Sequence, residues 1–214
     1  TKYDGVSLLR ACTNGSSELM STVSMSLVGM LYNIQLLKYA GEDGVAAYGV
    51  LMYVNMVFLA MFFGYTMGMA PVISFHYGAN NTDELKSLLK KSLVIVGISS
   101  VVMVVSSILL AKPLSLLFAS SHPDLLAMTV RGFYIYSLCF LFAGLAIFGS
   151  AFFTALNNGL ISALISFLRT VVFQIAAVML LPLIFGLDGI WVSVVVAELA
   201  AATLSAIFIY ARRK

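Results

Sequence analysis

The chain has 214 residues, of which 61% are hydrophobic and 10% charged, with a net charge of +3 and a mean hydropathy of +1.03. A soluble domain carries about a quarter charged residues, so this composition excludes an ordinary soluble fold and specifies an integral membrane protein. The small net charge, with no Lys/Arg cluster interleaved with aromatics, excludes nucleic acid as a partner.

Six long apolar stretches follow one another, at about 8–37, 45–77, 88–111, 125–155, 160–185 and 190–210. Each exceeds the roughly 20 residues that a helix needs to cross about 30 Å of hydrocarbon. Strand alternation is absent, so closed helices must satisfy the backbone. The expected fold class is an all-α integral membrane protein, a six-transmembrane-helix bundle forming a single domain over 1–214. If the N-terminus is cytoplasmic, the inside segments hold Lys2, Arg10, Lys86, Lys90, Lys91, Arg212, Arg213 and Lys214, and the outside ends only Lys38, Lys112 and Arg131. That asymmetry predicts a multi-pass protein with both termini cytoplasmic. Cys12 and Cys139 fall inside predicted helices and form no disulfide framework. The chain begins at Thr1, without Met and without the features of a signal peptide, and is expected to be a processed or excised piece.

The first stretch contains "NGSSELMS", Asn14 to Ser21, with a carboxylate in its middle. Glu18 lies about ten residues into its helix, about 15 Å deep at 1.5 Å per residue, near the midplane. Helical spacing places Asn14, Glu18, Ser21, Thr22, Met25, Gly29, Tyr32 and Asn33 on one face, richer in polar and small groups than its surroundings. That face is expected to look onto a bundle interior or a wet cavity. Glu18 is then either a site for a cation or proton or half of a structural pair with a neighbouring helix. The connection "AGEDGVAAYG", Ala40 to Gly49, reads as the loop that turns the first helix into the second.

In the second stretch, Pro71 removes a backbone donor and predicts a bend, and Gly64 and Gly68 predict a close helix contact. His76, near the inner end, is either a proton relay or a solvated interfacial residue. The methionines clustered on these two helices read as ordinary apolar filler. "YGANNTDELKSLLKKS", Tyr77 to Ser92, opens the third helix, with Thr82 as its expected cap and acids in its first turn. "SSHPDL", Ser120 to Leu125, and "GLDGIW", Gly186 to Trp191, read as outer turns. Arg169 and Glu198 are deeply placed on the last two helices. A charge at a helix centre costs about 2.5 to 3.5 kcal/mol, so Arg169 requires a partner, either Glu198 or Glu18. HExxH, GxSxG, Walker A and CxxC patterns and dense metal-ligand sets are missing, so catalysis, a metal and an organic cofactor are not expected.

Four stretches together resemble the multidrug and toxic compound extrusion (MATE) transporters, and within them the bacterial MepA-like branch. They are Asn14 to Gly49, "GYTMGMAPVISFHYGANN" (Gly64 to Asn81), "FFTALNNG" (Phe152 to Gly159) with Arg169 beyond it, and "GLDGIWVSVVVAE" (Gly186 to Glu198). The resemblance implies the C-terminal six-helix lobe of a twelve-helix, cation-coupled antiporter of the bacterial cytoplasmic membrane. Such an exporter expels organic cations and other drugs through a cleft between lobes, driven by Na⁺ or H⁺. It implies the N-terminal lobe, membrane lipid and small-molecule drugs as partners. Some members use a carboxylate on the helix that carries Glu18, whereas His76 stands where members often carry Asn. On this reading Glu18, Asn14, Ser21, Met25, Tyr32 and Asn33 line the cleft, Arg169 and Glu198 stabilise the lobe, and Pro71 supplies a bend. The alternatives are half of a lipid-linked precursor flippase, or a non-transporting scaffold or half-size unit acting as a homodimer.

Overall fold

The computed structural model describes residues 5–119 and 122–212, with side chains over 23–119 and 122–211. Its first helix, α1 (Gly5–Gly78), runs for 74 residues and leaves helical dihedrals at Gly41, where φ is 64° and ψ −154°. Tyr32 and Tyr48, which a straight helix would hold about 24 Å apart, stack with ring centroids 5.5 Å apart. α1 is therefore a hairpin of two arms, residues 5–40 and 42–78. The loop expected over Ala40 to Gly49 is helical up to and beyond Gly41. A residue without a Cβ reaches this dihedral pair without strain, so one position folds the chain back on itself.

The chain reverses again after Gly78, with Asn80 at a φ of 56°, and enters α2 (Thr82–Ala119). The side-chain oxygen of Asn81 accepts the Glu84 N–H at 3.2 Å, taking the capping role expected of Thr82. The buried face of α2 carries Ser92, Ser100, Ser107, Ala111, Ser115 and Ala119 at intervals of four to eight residues. Small residues let neighbouring backbones approach where lipid supplies no hydrophobic drive for association, and dispersion does the work.

The fourth apolar stretch is expected as one helix and is a bent pair, α3 (Pro123–Tyr136) and α4 (Cys139–Ala155), with 48° between them. The Ser137 hydroxyl donates to the Phe133 carbonyl and shares a 3.0 Å hydroxyl contact with Ser107 Oγ. Beyond it the ladder tightens to i→i+3 bonds, Leu138 to Ile135, Phe140 to Ser137 and Leu141 to Leu138. A hydroxyl competing for a helix carbonyl is a recognised cause of such bends. The fifth stretch starts with α5 (Gly159–Phe167), capped by the Asn158 side chain on Ile161 N–H at 3.4 Å. It passes through a π-helical turn, Leu168–Phe173, into α6 (Gln174–Phe185).

α7 (Leu187–Arg212) packs against α3, α4, α6 and both arms of α1. It contributes Ile190, Trp191, Ser193, Ala197, Glu198, Ala201, Ala202 and Ser205 to the interior. Its entry depends on Gly189, where a Cβ would lie 2.6 Å from the Leu181 carbonyl carbon and 2.7 Å from Pro182 N. Among the described residues four helices are long and apolar enough to cross a membrane, or five when α3 and α4 count as one bent span. The first of these, Val23–Gly78, runs through the hairpin, from within its first arm to the end of its second. Counting each arm separately gives six apolar rods, and the molecule is a multi-pass membrane protein.

Candidate functional site

Three helices meet around two polar contacts in the interior. The first arm of α1 buries Ser24, Val28, Tyr32 and Leu36, one residue per turn. Tyr32 stacks on Tyr48 of the second arm, and Tyr48 lies 6.5 Å from Trp191 between centroids. The Tyr32 hydroxyl shares a hydrogen bond of 2.9 Å with Ser193 Oγ, which also donates to the Ile190 carbonyl. Five residues along α7, about 7.5 Å of rise, Glu198 receives Arg169. Nε reaches Oε1 at 3.1 Å and Oε2 at 2.9 Å, and Nη2 reaches Oε1 at 2.9 Å. The two side chains keep 17% and 5% of their exposure, so both charges are withdrawn from solvent and lipid together. Tyr136 and Cys139, at the α3–α4 bend, lie within electrostatic reach of the pair.

The π-helical turn contains Arg169. Such turns insert one extra residue per turn into a helix and recur at functional positions. One turn before it stands a knot of hydroxyls that joins α4 to α5. Ser150 Oγ lies 2.9 Å from Ser162 Oγ and 2.8 Å from Ser166 Oγ, and Thr154 Oγ1 lies 2.6 Å from Ser162 Oγ. The sequence signal is a pair of hydroxyls four residues apart on each side of the "ALNNG" turn, and sequence reasoning passed over it.

The face expected to carry the site is divided by the structure. Tyr32 is inside the bundle at 1% exposure, whereas Met25 is 60% exposed. Asn33 is also exposed and donates Nδ2 to the Gly29 carbonyl at 3.0 Å. Residues one position apart differ by about 100° around a helix, so Tyr32 and Asn33 do not share a direction. Asn33 borders an open groove of about 510 Å³ beside the hairpin turn, with Ile34, Leu37, Glu42, Val45 and Ala46. The side chains of Asn14, Glu18 and Ser21 lie outside the described residues. Pro71 is exposed, and helical dihedrals continue through it; within α1 the departure is at Gly41. Gly64 and Gly68, expected to seat a neighbouring helix, have no atom within 4 Å of an added Cβ, so no helix of the described residues packs there. His76 is half-buried, meets the Phe75 ring edge-on at 5.4 Å, and its Nδ1 has no hydrogen-bond partner among the described residues. Among the described residues no group of three or more His, Cys, Asp or Glu side chains is placed to hold a metal ion.

The MatE family model matches residues 19–180. The chain belongs to the MatE family, the MATE transporters. None of the curated proteins matches the sequence significantly. Among solved structures, a multidrug resistance MATE family transporter of the MOP superfamily in an outward-facing conformation superposes with a TM-score of 0.86 at 21% identity. That match covers 92% of this chain and 45% of the transporter. A mutant MATE transporter from Vibrio cholerae gives 0.88 at 19% identity, over 99% of this chain and 48% of that one. A MOP superfamily transporter from Pyrococcus furiosus, whose binding pocket is described as reversed in polarity, gives 0.85 at 21%, over 92% and 45%. These likenesses establish the MatE fold, and the chain spans less than half the length of the solved transporters it matches.

Proposed function

We propose that the chain is the C-terminal six-helix lobe of a cation-coupled multidrug antiporter of the MepA-like branch. Completed by an N-terminal lobe, it exchanges Na⁺ or H⁺ for organic cations and other drugs across a bacterial cytoplasmic membrane, with both termini on the cytoplasmic side. The observation that carries this reading is the outer face of the second arm of α1. Met56, Met61, Gly64, Met67, Gly68 and Phe75 are exposed along it at intervals of one to seven residues. Adjacent glycines on a membrane helix suit close approach of a second body, and methionine and aromatic surfaces adapt to varied apolar ligands. Transport clefts form where two structural repeats face each other, with sites near the midplane.

In this reading the pathway runs beside the first hairpin, and Met25 and Asn33 line it. Glu18 precedes Met25 by seven residues, two helical turns, and supplies the carboxylate that binds the coupling cation or the cationic drug, with Asn14 and Ser21 beside it. The Arg169–Glu198 pair and Tyr32 hold the lobe rigid behind that face.

The test uses the two-lobe protein in drug-hypersensitive cells and in proteoliposomes. Glu18→Gln is expected to abolish cation-driven efflux of a fluorescent organic cation while the protein still reaches the membrane. Unchanged efflux with unchanged ion coupling removes Glu18 from the mechanism. Efflux by this chain alone, crosslinking as a homodimer, overturns the half-transporter reading itself.

A further inference from the structure

The outward face of α2 differs in kind from that of α1. Between its two ends it exposes Val94, Ile98, Val101, Val102, Val105 and Leu109, all branched aliphatic side chains. At the end next to the Gly78–Thr82 turn Lys86, Lys90 and Lys91 are exposed beside Asp83, and toward the other end Lys112 is exposed, with Leu116, Leu117 and Phe118 following it. Lys112 follows Lys91 by 21 positions of continuous helix, which is about 31 Å of rise. That length equals the roughly 30 Å of a bilayer's hydrocarbon core. Lysines at both borders, with an aliphatic stripe between, match a helix whose cations reach for the headgroup layers while its middle meets acyl chains.

The lysines at the first border also cluster. Lys86 and Lys90, four positions apart, share one side of the helix, and Lys91 is turned about 100° from Lys90, so the three line a broad flank of it. Lys91 reaches Glu84 at 3.9 Å, with 67% and 41% of those side chains exposed, an arrangement too open to neutralise it. Lys86 and Lys90 have no carboxylate partner among the described residues. Asp83 and Glu84 lie in the first turn, further from the hydrocarbon than Lys90 and Lys91, where the helix dipole favours negative charge.

We propose that α2 is a lipid-facing rim of the bundle and that Lys86, Lys90 and Lys91 form a site for the phosphate-bearing headgroups of anionic phospholipids. The site is independent of what the protein transports. Its ligand is an anionic lipid such as phosphatidylglycerol, whose phosphate meets the ammonium groups while its chains lie along Val94, Ile98 and Val101. A second protein at this position would require neither the bilayer-length spacing nor the lysines at both borders.

The experiment measures association of spin-labelled phosphatidylglycerol and phosphatidylcholine with the reconstituted protein, from the motionally restricted fraction in electron paramagnetic resonance spectra. The wild type is expected to prefer phosphatidylglycerol by about fivefold to tenfold, with the preference shrinking as salt rises. The triple variant K86Q/K90Q/K91Q is expected to lose most of that preference, K86R/K90R/K91R to keep it, and both to unfold at the wild-type temperature in phosphatidylcholine. Equal association of the two lipids with the wild type overturns the proposal, and so does a glutamine variant with undiminished preference.

Discussion

Arg169 meets Glu198 through three hydrogen bonds of 2.9 to 3.1 Å, from a π-helical turn of one helix to the middle of another. With both side chains withdrawn from solvent, removing either leaves the other charge without compensation. Arg169→Met or Glu198→Met alone is expected to destabilise the bundle by about 3 to 5 kcal/mol, whereas the double methionine variant recovers most of that loss. Thermal unfolding in detergent of the two single variants and the double decides it. A double variant no better than the singles would mean that the pair does not act as a unit.

Tyr32 contributes its ring and its hydroxyl separately. Tyr32→Phe keeps the stack on Tyr48 and removes the bond to Ser193 Oγ, which still donates to the Ile190 carbonyl. A loss of about 0.5 to 1.5 kcal/mol is expected. Tyr32→Ala removes the ring from a site at 1% exposure and is expected to cost about 3 to 5 kcal/mol, as large aromatic truncations do. Denaturant unfolding of the two variants checks whether packing outweighs the polar contact.

Two glycines fail for different reasons. An added Cβ at Gly41 meets open space, so Gly41→Ala is opposed by its backbone dihedrals alone, by about 1 to 3 kcal/mol. Gly189 has no such dihedral demand, yet a Cβ there collides with the backbone of Leu181 and Pro182. Backbone cannot yield as a flexible side chain does, so Gly189→Ala is expected to separate the start of α7 from α6 and to be the more damaging change. Protease susceptibility of the α6–α7 turn, compared between the variants, reads this directly.

The hydroxyl knot gives a fourth test. Ser162 contacts both Ser150 and Thr154, so Ser162→Ala is expected to cost about 0.6 to 1.7 kcal/mol, the range found for hydrogen bonds between membrane helices. Because the partners share one network, adding Ser150→Ala is expected to cost less than its single-variant value. A double-mutant cycle on unfolding free energies measures the coupling.

The six apolar runs and the all-helical class were legible because length and hydropathy alone decide whether a segment can cross hydrocarbon. The intramembrane charges were equally visible, since Arg169 and Glu198 stand out in any hydropathy trace. Direction around each helix was not. Periodicity grouped Met25, Tyr32 and Asn33 on one face, but in a chain apolar on all sides the inward direction is set by which residues meet a neighbour, and Tyr32 alone of the three found one in Ser193. The Gly41 reversal was hidden for a similar reason: "AGEDG" has the composition of a loop, and a helical hairpin needs only one of its residues to leave helical dihedrals. The bend at Ser137 arises from hydrogen-bond competition in space, and neither it nor the π-turn at Arg169 has a pattern in one dimension.

Gly41 also fixes the phase of everything that follows it. Because no slack lies between the arms, an inserted residue has nowhere to be absorbed. It would turn the second arm by about 100° about its own axis, carrying Phe62 and Ile73 out of the core and swinging the methionine face away from its direction. A loop would have tolerated such drift in length. Here the hairpin works as a keyed shaft, and the spacing from Tyr32 to Tyr48 is the key.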